Sequence, residues 1–372
     1  MGALARAYRG ETDLDFPRLW KWGIILSSTL VVVCLVSLVT RGINLSIDFS
    51  GGSVWGVPAE GLSEDDVMGV LDGFGAGGGA KVQEVTDQAS GDRFYRVQAG
   101  VEDIDESVAI AAAYADLAGV AADEISTNTV GPSWGEQITA KARTALILFF
   151  IVIALYLWLR LEWKMAIGAL VAVVHDIIIV VGVYSLLWLE VTPATVIAFL
   201  TILGYSLYDT IVVCDKVREN EARFERTGRM SYTAIMRLSM NQVLMRTLNT
   251  TIAAILPVIA MLTIGSLLLG EATLREFSIA LLIGLISGAY STIFIAAPAV
   301  VALKEREEGY RRIRKRLEDK GLDPNEAGTS TGAERSELTA VGRPTSRGVD
   351  SERAAKYERA HPPRPRKKGG RR

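Results

Sequence analysis

Six long runs of apolar, almost uncharged residues constrain this chain more than any other feature of its sequence. Each run has roughly 18 to 25 residues, enough for a helix to cross a hydrocarbon core of about 30 Å. Core helices of soluble proteins are usually shorter and carry a polar stripe. The sequence therefore predicts a polytopic α-helical membrane protein with six transmembrane helices. The runs are Trp22–Val39, Ala142–Leu159, Met165–Leu189, Pro193–Val213, Arg246–Leu269 and Phe277–Leu303.

Charge is distributed unevenly along a chain whose net charge is only −2. Residues 41–140 hold 17 acidic and 4 basic side chains, whereas Lys and Arg flank the opposite ends of the runs. Short loops rich in Lys and Arg stay in the cytoplasm. We therefore expect both termini inside and 41–140 outside. The expected division is a cytoplasmic N-terminus at 1–21, helix one at 22–40, an extracytoplasmic domain at 41–140, helices two to six at 141–304 and a cytoplasmic tail at 305–372.

The first apolar run has the composition of either a secretory signal or an uncleaved anchor. About twenty mostly polar residues precede it, and Arg41 follows it in place of a small-residue cleavage site, which favours the anchor. The chain has only two cysteines, Cys34 and Cys214, both inside runs or at their ends. We interpret both as packing residues, and the domain at 41–140 must fold without disulfides.

The domain at 41–140 has the pattern β-α-β-β-α-β, which predicts a ferredoxin-like α+β sandwich. Alternating residues predict one strand over 44–58. Ser63, followed by three acids, predicts a helix N-cap. The later elements are strands at Lys81–Thr86 and Arg93–Gln98 around a turn at 90–92, a helix from about Glu102 to Leu117, and a strand at Glu124–Thr129.

Glycine-rich segments do not indicate a nucleotide site. No Lys-Ser or Lys-Thr follows Gly73–Gly79, so a turn is favoured over a phosphate-binding loop. Gly51-Gly52 lacks the third glycine of a dinucleotide site. With no metal-ligand cluster and no nucleophile–base pair in the sequence, we expect neither a cofactor nor an enzyme. A small-residue stripe in the sixth run predicts close helix packing: Gly284, Ser287, Gly288 and Ser291.

Asp176 and Asp209 lie within the apolar runs, and Arg246 lies at the start of the fifth. A charge at the bilayer centre costs about 2.5–3.5 kcal/mol on insertion scales, so such residues usually face the bundle interior and have a function. Asp209 lies about 16 residues into a run that enters from outside, roughly 24 Å deep. Arg246 enters from the cytoplasm, so the two can meet at similar depth. A polar seam shares their helix faces: Tyr205, Ser206, Asn249 and Thr250.

Two interpretations of Asp209 and Arg246 stay open at this point. In the first, the carboxylate gains and loses a proton as the cation approaches and withdraws, which couples the membrane potential to helix movement. Asp176, near mid-membrane, is then a second relay carboxylate. In the second, a static ion pair fixes helix packing, although buried pairs add little stability. The neighbouring His175 points about 100° away from Asp176 and is interpreted as either a packing residue or a partner in this chemistry.

The tail from about residue 323 is polar and ends in a basic segment at 364–372. Such a composition buries too little apolar surface to order itself. The basic end is suited to anionic lipid or ribosomal RNA, or serves only as a solvated tail that sets orientation.

Five stretches carry a resemblance to a known family: Gly42–Gly52, which includes Asp48, Phe49, Gly51 and Gly52; Val130–Ser133; Gly204–Val213 with Asp215–Asn220; Arg246–Thr250; and Leu281–Gly284 with Gly288–Ser291. In this order they resemble the SecF family, the smaller half of the bacterial SecD–SecF protein-export complex in the resistance-nodulation-division superfamily. The likeness extends from about residue 20 to 305. Tyr208 stands where the family usually has Asn, and Cys214 where it has Phe, which leaves the hydrogen bonding beside Asp209 open.

The resemblance implies a subunit that uses the proton-motive force to help preproteins leave the SecYEG channel. It implies a SecD-like partner that supplies six further helices, as well as contact with SecA, the preprotein and membrane lipids, but no specific nucleic acid. It assigns proton coupling to Asp209 and Arg246, and leaves the choice between proton and sodium open. The expected location is the bacterial plasma membrane.

Two rival functions remain at the level of sequence. One is a small-molecule or lipid exporter of the same superfamily, which would work as a homodimer, although its outer domains are usually larger. The other is a scaffold for the translocon, in which the buried charges only hold helices together.

Overall fold

The computed structural model describes residues 14–86, 91–224, 230–268 and 272–325. The helices are α1 (Phe16–Arg41), α2 (Ile47–Ser50), α3 (Glu64–Gly73), α4 (Ile104–Ala118), α5 (Pro132–Arg160), α6 (Trp163–Leu186), α7 (Pro193–Phe224), α8 (Tyr232–Ala260), α9 (Ala272–Ser291), α10 (Ala297–Lys304) and α11 (Glu308–Asp319). The strands are β1 (Asn44–Leu45), β2 (Gly52–Pro58), β3 (Lys81–Thr86), β4 (Arg93–Ala99), β5 (Ser126–Val130) and β6 (Glu190–Val191). Shorter helical segments are a 3-10 turn at Ala122–Glu124 and π-helical segments at Met261–Leu268 and Thr292–Ala296.

Six helices in the described residues are long and apolar enough to cross a membrane, which confirms the predicted class of protein. They are Phe16–Arg41, Ser133–Arg160, Trp163–Leu186, Pro193–Phe224, Tyr232–Gly265 and Leu274–Lys304. The most buried of them is α6, in which 56% of the apolar segment is buried, against 11% for α5. Thus α6 is central, and α5 faces lipid or a partner along most of its length.

Several helices extend past the apolar runs that predict them: α5 begins at Pro132 instead of Ala142, α7 ends at Phe224 instead of Val213, and α8 begins at Tyr232 instead of Arg246. Hydropathy marks only the part of a helix that meets lipid, whereas backbone hydrogen bonds continue the helix into the polar layer. Arg246 therefore lies well inside α8. The predicted tail beyond residue 325, Ser90 of the predicted turn and the end of the fifth run at Leu269 lie outside the described residues.

Small residues allow the spanning helices to approach closely. A Cβ on Gly182 of α6 would overlap the side chain of Cys34 in α1, and one on Gly168 would overlap Val300 of α10. In α9, Gly284 packs in the same way on Ile202 of α7. The predicted small-residue stripe of α9 is therefore a packing face against α7. Cys34 and Cys214 are both buried free thiols, in agreement with their predicted packing role.

The α+β domain, residues 52–130, is the predicted ferredoxin-like sandwich. Its sheet has the order β3-β4-β2-β5, and every neighbouring pair is antiparallel. The helices α3 and α4 cover one face, where Trp55, Leu71, Ile110 and Tyr114 form the buried core. Ser63 caps α3 as predicted, through a reciprocal pair of bonds with Asp66.

The single strand predicted over 44–58 is wrong. The chain forms β1, then the helical turn α2, and only then β2. Gly51 and Gly52 have φ angles of +74° and +112°, which side chains rarely adopt, so a continuous pleated strand is not possible there. A Cβ on Gly52 would also overlap the carbonyl oxygen of Ala99 in β4. The glycine pair therefore allows a sharp turn, and Gly52 allows a close backbone contact with β4.

The α+β domain contacts the bundle through a junction formed by β1, α2 and the loop between α6 and α7. Strand β1 pairs in parallel with β6 in that loop. Lys81 of β3 donates a 2.6 Å hydrogen bond to Asn44, whose side chain donates to the carbonyl of Trp188. Arg96 of β4 forms a 2.7 Å ion pair with Glu190. The sheet edge is thus tied to the surface of the bundle by charged and polar contacts.

Candidate functional site in the membrane bundle

Asp176 lies at the centre of the bundle and is completely buried. Three serine hydroxyls donate to it: Ser206 of α7 to Oδ2 at 2.7 Å, and Ser287 and Ser291 of α9 to Oδ1 and Oδ2, each at 2.9 Å. A carboxylate has room for about four such donors. One side chain on α6 therefore holds two other helices through hydrogen bonds.

His175 supplies a fourth contact, because its Nδ1 lies 3.3 Å from Asp176 Oδ1. Its ring stacks on Tyr290 of α9, with centroids 6.2 Å apart. Its Nε2 is buried and has no hydrogen-bond partner among the described residues. His175 thus packs against α9 as well as contacting Asp176, so the two roles considered for it are not mutually exclusive.

Asp209 of α7 is the second buried carboxylate, with 7% of the residue exposed. Its Oδ1 accepts a 3.0 Å hydrogen bond from Thr247 of α8. Its Oδ2 is buried, and no donor in the described part of the chain reaches it. This side chain is therefore only half satisfied, in contrast to Asp176, and has an oxygen available to take a proton.

Arg246 does not pair with Asp209. Its guanidinium donates at 3.2 Å to the hydroxyl of Tyr208, and both residues lie on the exposed surface of the bundle. No ion pair within 4.0 Å joins Asp209 and Arg246 among the described residues. The physical reason is helical geometry: Thr247 is one position further along α8, about 100° around the helix, and it is Thr247 that faces α7. The predicted direct meeting is therefore corrected: the guanidinium lies close enough for its charge to act on Asp209, but the hydrogen bonds are made by the neighbouring residues Thr247 and Tyr208.

The residues of the predicted polar seam do not form one cluster around Asp209. Ser206 belongs to the Asp176 cluster rather than to Asp209. The Tyr205 hydroxyl is buried without a partner among the described residues, whereas Thr250 donates to backbone carbonyls of its own helix. Asn249 lies on the exposed face of α8.

Sequence reasoning missed three of the polar residues that contact the buried carboxylates. Ser287 and Ser291 lie in a stripe interpreted only as a packing face, and Thr247 was not singled out. The spacing of the two serines, one helical turn apart beside Gly288, was the available signal, because it places both hydroxyls on the face that packs against α7. The π-helical segment that begins at Thr292 follows this cluster directly, and such segments frequently occur at functional sites.

The segment that contains Asp48, Phe49, Gly51 and Gly52 lies at the junction and not within the six candidate spanning helices. Asp48 accepts a 3.1 Å hydrogen bond from Ser46. The carbonyl oxygen of Phe49 accepts a bond from Thr139 of α5, and a Cβ on the neighbouring Gly135 would lie 3.1 Å from the same oxygen. This segment therefore joins the α+β domain to the second spanning helix.

Six candidate spanning helices that enclose two buried carboxylates, one saturated with donors and one half satisfied, define a polytopic membrane protein, and buried charges in such a bundle usually have a function. The chain belongs to the SecD/SecF family of protein export membrane proteins. The model of the family's C-terminal region, "Protein export membrane protein SecD/SecF, C-terminal", matches residues 110–306, and the SecD/SecF GG motif matches residues 36–54.

Relatives of known identity agree with this family. The chain is 39% identical to the protein translocase subunit SecF of Streptomyces coelicolor, over 84% of this chain and 83% of the relative. It is 36% identical to the SecF subunit of Mycobacterium tuberculosis, over 89% and 75% of the two chains. It is 32% identical to the protein translocase subunit SecDF of Thermus thermophilus, of which it covers 38%.

A solved structure supports the same fold. A crystal structure of SecDF in a super-membrane-facing form matches 82% of this chain with a TM-score of 0.53 and 30% identity. This chain covers 39% of that longer protein. The six-helix bundle and its α+β domain therefore correspond to part of the longer chain of that relative.

Proposed function

We propose that this protein is an accessory subunit of the Sec preprotein translocase that, with a SecD-like partner, uses the proton-motive force to promote export through the SecYEG channel. Family membership supports the export role. The observation that supports the energy coupling is the buried Oδ2 of Asp209, which has no hydrogen-bond partner in the part of the chain that the structure describes. We further propose the bacterial plasma membrane as the location, with cytoplasmic termini and the α+β domain outside, on the charge asymmetry of the sequence. The protein acts as a transport component and not as an enzyme.

Asp209 carries the proton in this proposal. A proton moving down a membrane potential gains about 2.3 kcal/mol per 100 mV. When Asp209 is charged, the Thr247 hydroxyl ties α8 to α7 through a charge-assisted bond. When Oδ2 takes a proton, that bond weakens, and α8 with Arg246 is freer to shift. Neutralisation and recharging of Asp209 therefore switch α7 and α8 between two arrangements. In this way the carboxylate converts ion flow into helix movement.

Asp176 acts as a clamp in the same cycle. Its four contacts join α6, α7 and α9 at one point. A proton on either oxygen would displace one serine donor, so loading the site loosens the clamp. Because Ser206 of the clamp and Asp209 share α7, the two carboxylates are mechanically linked along one helix.

The partner half is proposed to cover the face that carries Tyr208 and Arg246. An exposed guanidinium on a spanning helix is costly against hydrocarbon. Ile252 and Leu256, at 57% and 61% exposure, lie further along the exposed side of α8 and give it apolar area for packing. A second six-helix half with an acidic or polar group at this depth would satisfy Arg246, which fits a SecD-like partner.

The test is protein export into membrane vesicles under an imposed proton gradient, in a strain that lacks the native copy. Asp209→Asn should assemble normally and lose the gradient-stimulated part of export. The matched control is Asp215→Asn on the same helix, because Asp215 forms a half-exposed surface ion pair with Arg160. A full gradient response in Asp209→Asn would show that the protein is a scaffold and that its partner does the coupling.

The coupling ion is tested in the same vesicles by replacing the proton gradient with a sodium gradient at constant pH. Export driven by protons alone supports the proposal as stated. Export driven by sodium alone would reassign the ion at Asp209. Efflux of small molecules with no effect on export would favour the exporter function instead.

A further inference from the structure

Glu190 occupies an unusual position at the junction between the α+β domain and the bundle. It lies in β6, and only 10% of its side chain is exposed. Oε2 pairs with Arg96 at 2.7 Å, whereas Oε1 is buried and no donor among the described residues reaches it. A buried carboxylate oxygen without a donor is costly unless the group binds a cation or a proton.

The charges around Glu190 come from several elements that meet at or beside the junction. Carboxylates are Asp48 on α2 and Glu276 on α9, and bases are Arg96 on β4 and Lys81 on β3. A third base, Arg41 at the end of α1, lies over the ring of Trp188, two residues before Glu190. Two of the bases have other partners. Lys81 donates to Asn44, and Arg41 donates to the carbonyl of Leu186 at 2.9 Å. Among the described residues, the pair of Arg96 with Glu190 is therefore the one direct ion pair in this group of charges, and Oε1 of Glu190 is the oxygen left to take a proton.

Burial of Glu190 depends on docking of the α+β domain, because Arg96 and Lys81 that cover it belong to the sheet. In the docked arrangement burial raises the pKa of Glu190, Arg96 and Lys81 oppose the rise, and Asp48 adds to it. An undocked glutamate in water has its ordinary pKa. The docked arrangement therefore holds a proton more tightly than the undocked one.

We propose that Glu190 is a proton-binding site at the junction, and that loading it with a proton from the outer side strengthens docking of the α+β domain on the bundle. The sign follows from linkage: the state with the higher pKa binds more protons, so acidification favours that state. For one proton, the ratio of docked to undocked protein rises by at most about tenfold per pH unit. The site lies outside the membrane, does not involve Asp209, and goes beyond the proposed energy coupling.

The experiment measures docking directly by pulsed electron paramagnetic resonance on the full chain in lipid vesicles. Nitroxide labels are placed at Asp116→Cys on the exposed side of α4 and at Ile197→Cys on the exposed side of α7. Both native cysteines are buried and stay unlabelled. Distances are recorded between pH 8 and pH 5 with equal pH on both sides and no cargo.

Wild type should show a single short distance at pH 5 and a broader, longer distribution at pH 8. Glu190→Gln, a neutral mimic of the loaded site, should show the short distance at both pH values. Arg96→Gln removes the cation that opposes proton uptake, so its transition should move to higher pH. The matched control, Arg93→Gln, breaks an exposed pair with Glu84 in the same sheet and should behave as wild type.

A distribution that does not change with pH in wild type, or a pH response that persists in Glu190→Gln, would overturn the proposal. Because the measurement uses neither a gradient nor export, it is independent of the Asp209 test. Loss of export in Asp209→Asn together with a normal pH response of the distance would separate the two proposals.

Discussion

Thr247 donates a hydrogen bond of 3.0 Å to Asp209, while the adjacent Arg246 turns outward to Tyr208. The buried carboxylate of α7 is thus hydrogen-bonded to a neutral hydroxyl of α8, and the guanidinium beside it acts on the carboxylate only through its charge. The direct contact between Asp209 and α8 is therefore made by Thr247, and Arg246 moves with it because both are on the same helix turn.

The first prediction is that Thr247→Val lowers gradient-stimulated export. Hydrogen bonds to charged groups contribute about 1.5–3 kcal/mol, so loss of this bond should reduce the gradient response by roughly tenfold or more. Valine has nearly the same shape as threonine, so packing is retained. Export assays in vesicles measure the effect. Thr251→Val is the control, because its hydroxyl donates only to the Thr247 carbonyl of the same helix, and an equal loss in both variants would contradict the prediction.

The second prediction concerns packing of α9 on α7. A Cβ on Gly288 would lie 2.8 Å from the Cβ of Ser206, whose hydroxyl holds Asp176. Gly288→Ala should therefore destabilise the bundle by about 1–3 kcal/mol through overpacking. The measurement is recovery of folded protein on size exclusion after heating in detergent.

Gly204→Ala is the matched control for that experiment. Nothing lies within 4 Å of a Cβ at Gly204, which is also inside a spanning helix. Alanine at this position should leave stability unchanged or raise it slightly, since glycine is the poorer helix former. Equal losses for both variants would show that the contact with Ser206 is not the cause.

The buried carboxylates were predictable because a charge within an apolar run is conspicuous in sequence. Their partners were not. Ser287 and Ser291 are small residues, which in a membrane helix predict packing equally well, and only the tertiary arrangement shows that their hydroxyls converge on Asp176. In the same way, depth along a helix can be counted from sequence, but rotation about its axis is set by neighbouring helices. That is why Arg246 was expected to meet Asp209 and faces Tyr208 instead.

The α+β domain shows the same division between local and non-local information. The cap at Ser63, the strand at Lys81–Thr86 and the helix beginning near Glu102 follow from local chemistry, and all were predicted. The interruption of the strand at 44–58 was not predicted, because Leu45, Ile47 and Phe49 alternate with polar residues as they would in a strand. What overrides this pattern is the pairing of β1 with a loop more than a hundred residues away, together with the positive φ angles of Gly51 and Gly52.

The third prediction concerns the end of the last spanning helix. Lys304 is 4% exposed, and its ammonium pairs with Glu162 at 2.7 Å and Glu221 at 3.1 Å. Removing one member of such a buried group leaves uncompensated charge. Lys304→Met should therefore destabilise the bundle by about 3–5 kcal/mol, measured as recovery of folded protein after heating. Lys216→Met, which breaks a surface pair with Glu219, should have almost no effect, and a comparable loss there would count against the argument.

The fourth prediction is a pH dependence at the start of α3. Ser63 and Asp66 form a reciprocal cap, and the side-chain and backbone hydrogen bonds of Ser63 lower the pKa of Asp66 from its ordinary value of 3.8. A carboxyl with a lowered pKa in the folded state contributes stability above its ordinary pKa and loses that contribution as the pH falls through the lowered value. Ser63→Ala should therefore speed amide exchange in α3 at pH 7, and the difference from wild type should shrink below about pH 4.

Hydrogen exchange by mass spectrometry on the full chain, corrected for intrinsic exchange at each pH, measures this effect. Ser63→Asn keeps an oxygen at the cap position and should restore most of the protection at pH 7, because Asn caps helices about as well as Ser. A difference between Ser63→Ala and wild type that stays constant from pH 7 to pH 3 would show that Asp66 does not take part. The cap would then stabilise α3 through the Ser63 oxygen alone, which accepts a bond from the backbone of Asp66 whatever the charge on its side chain.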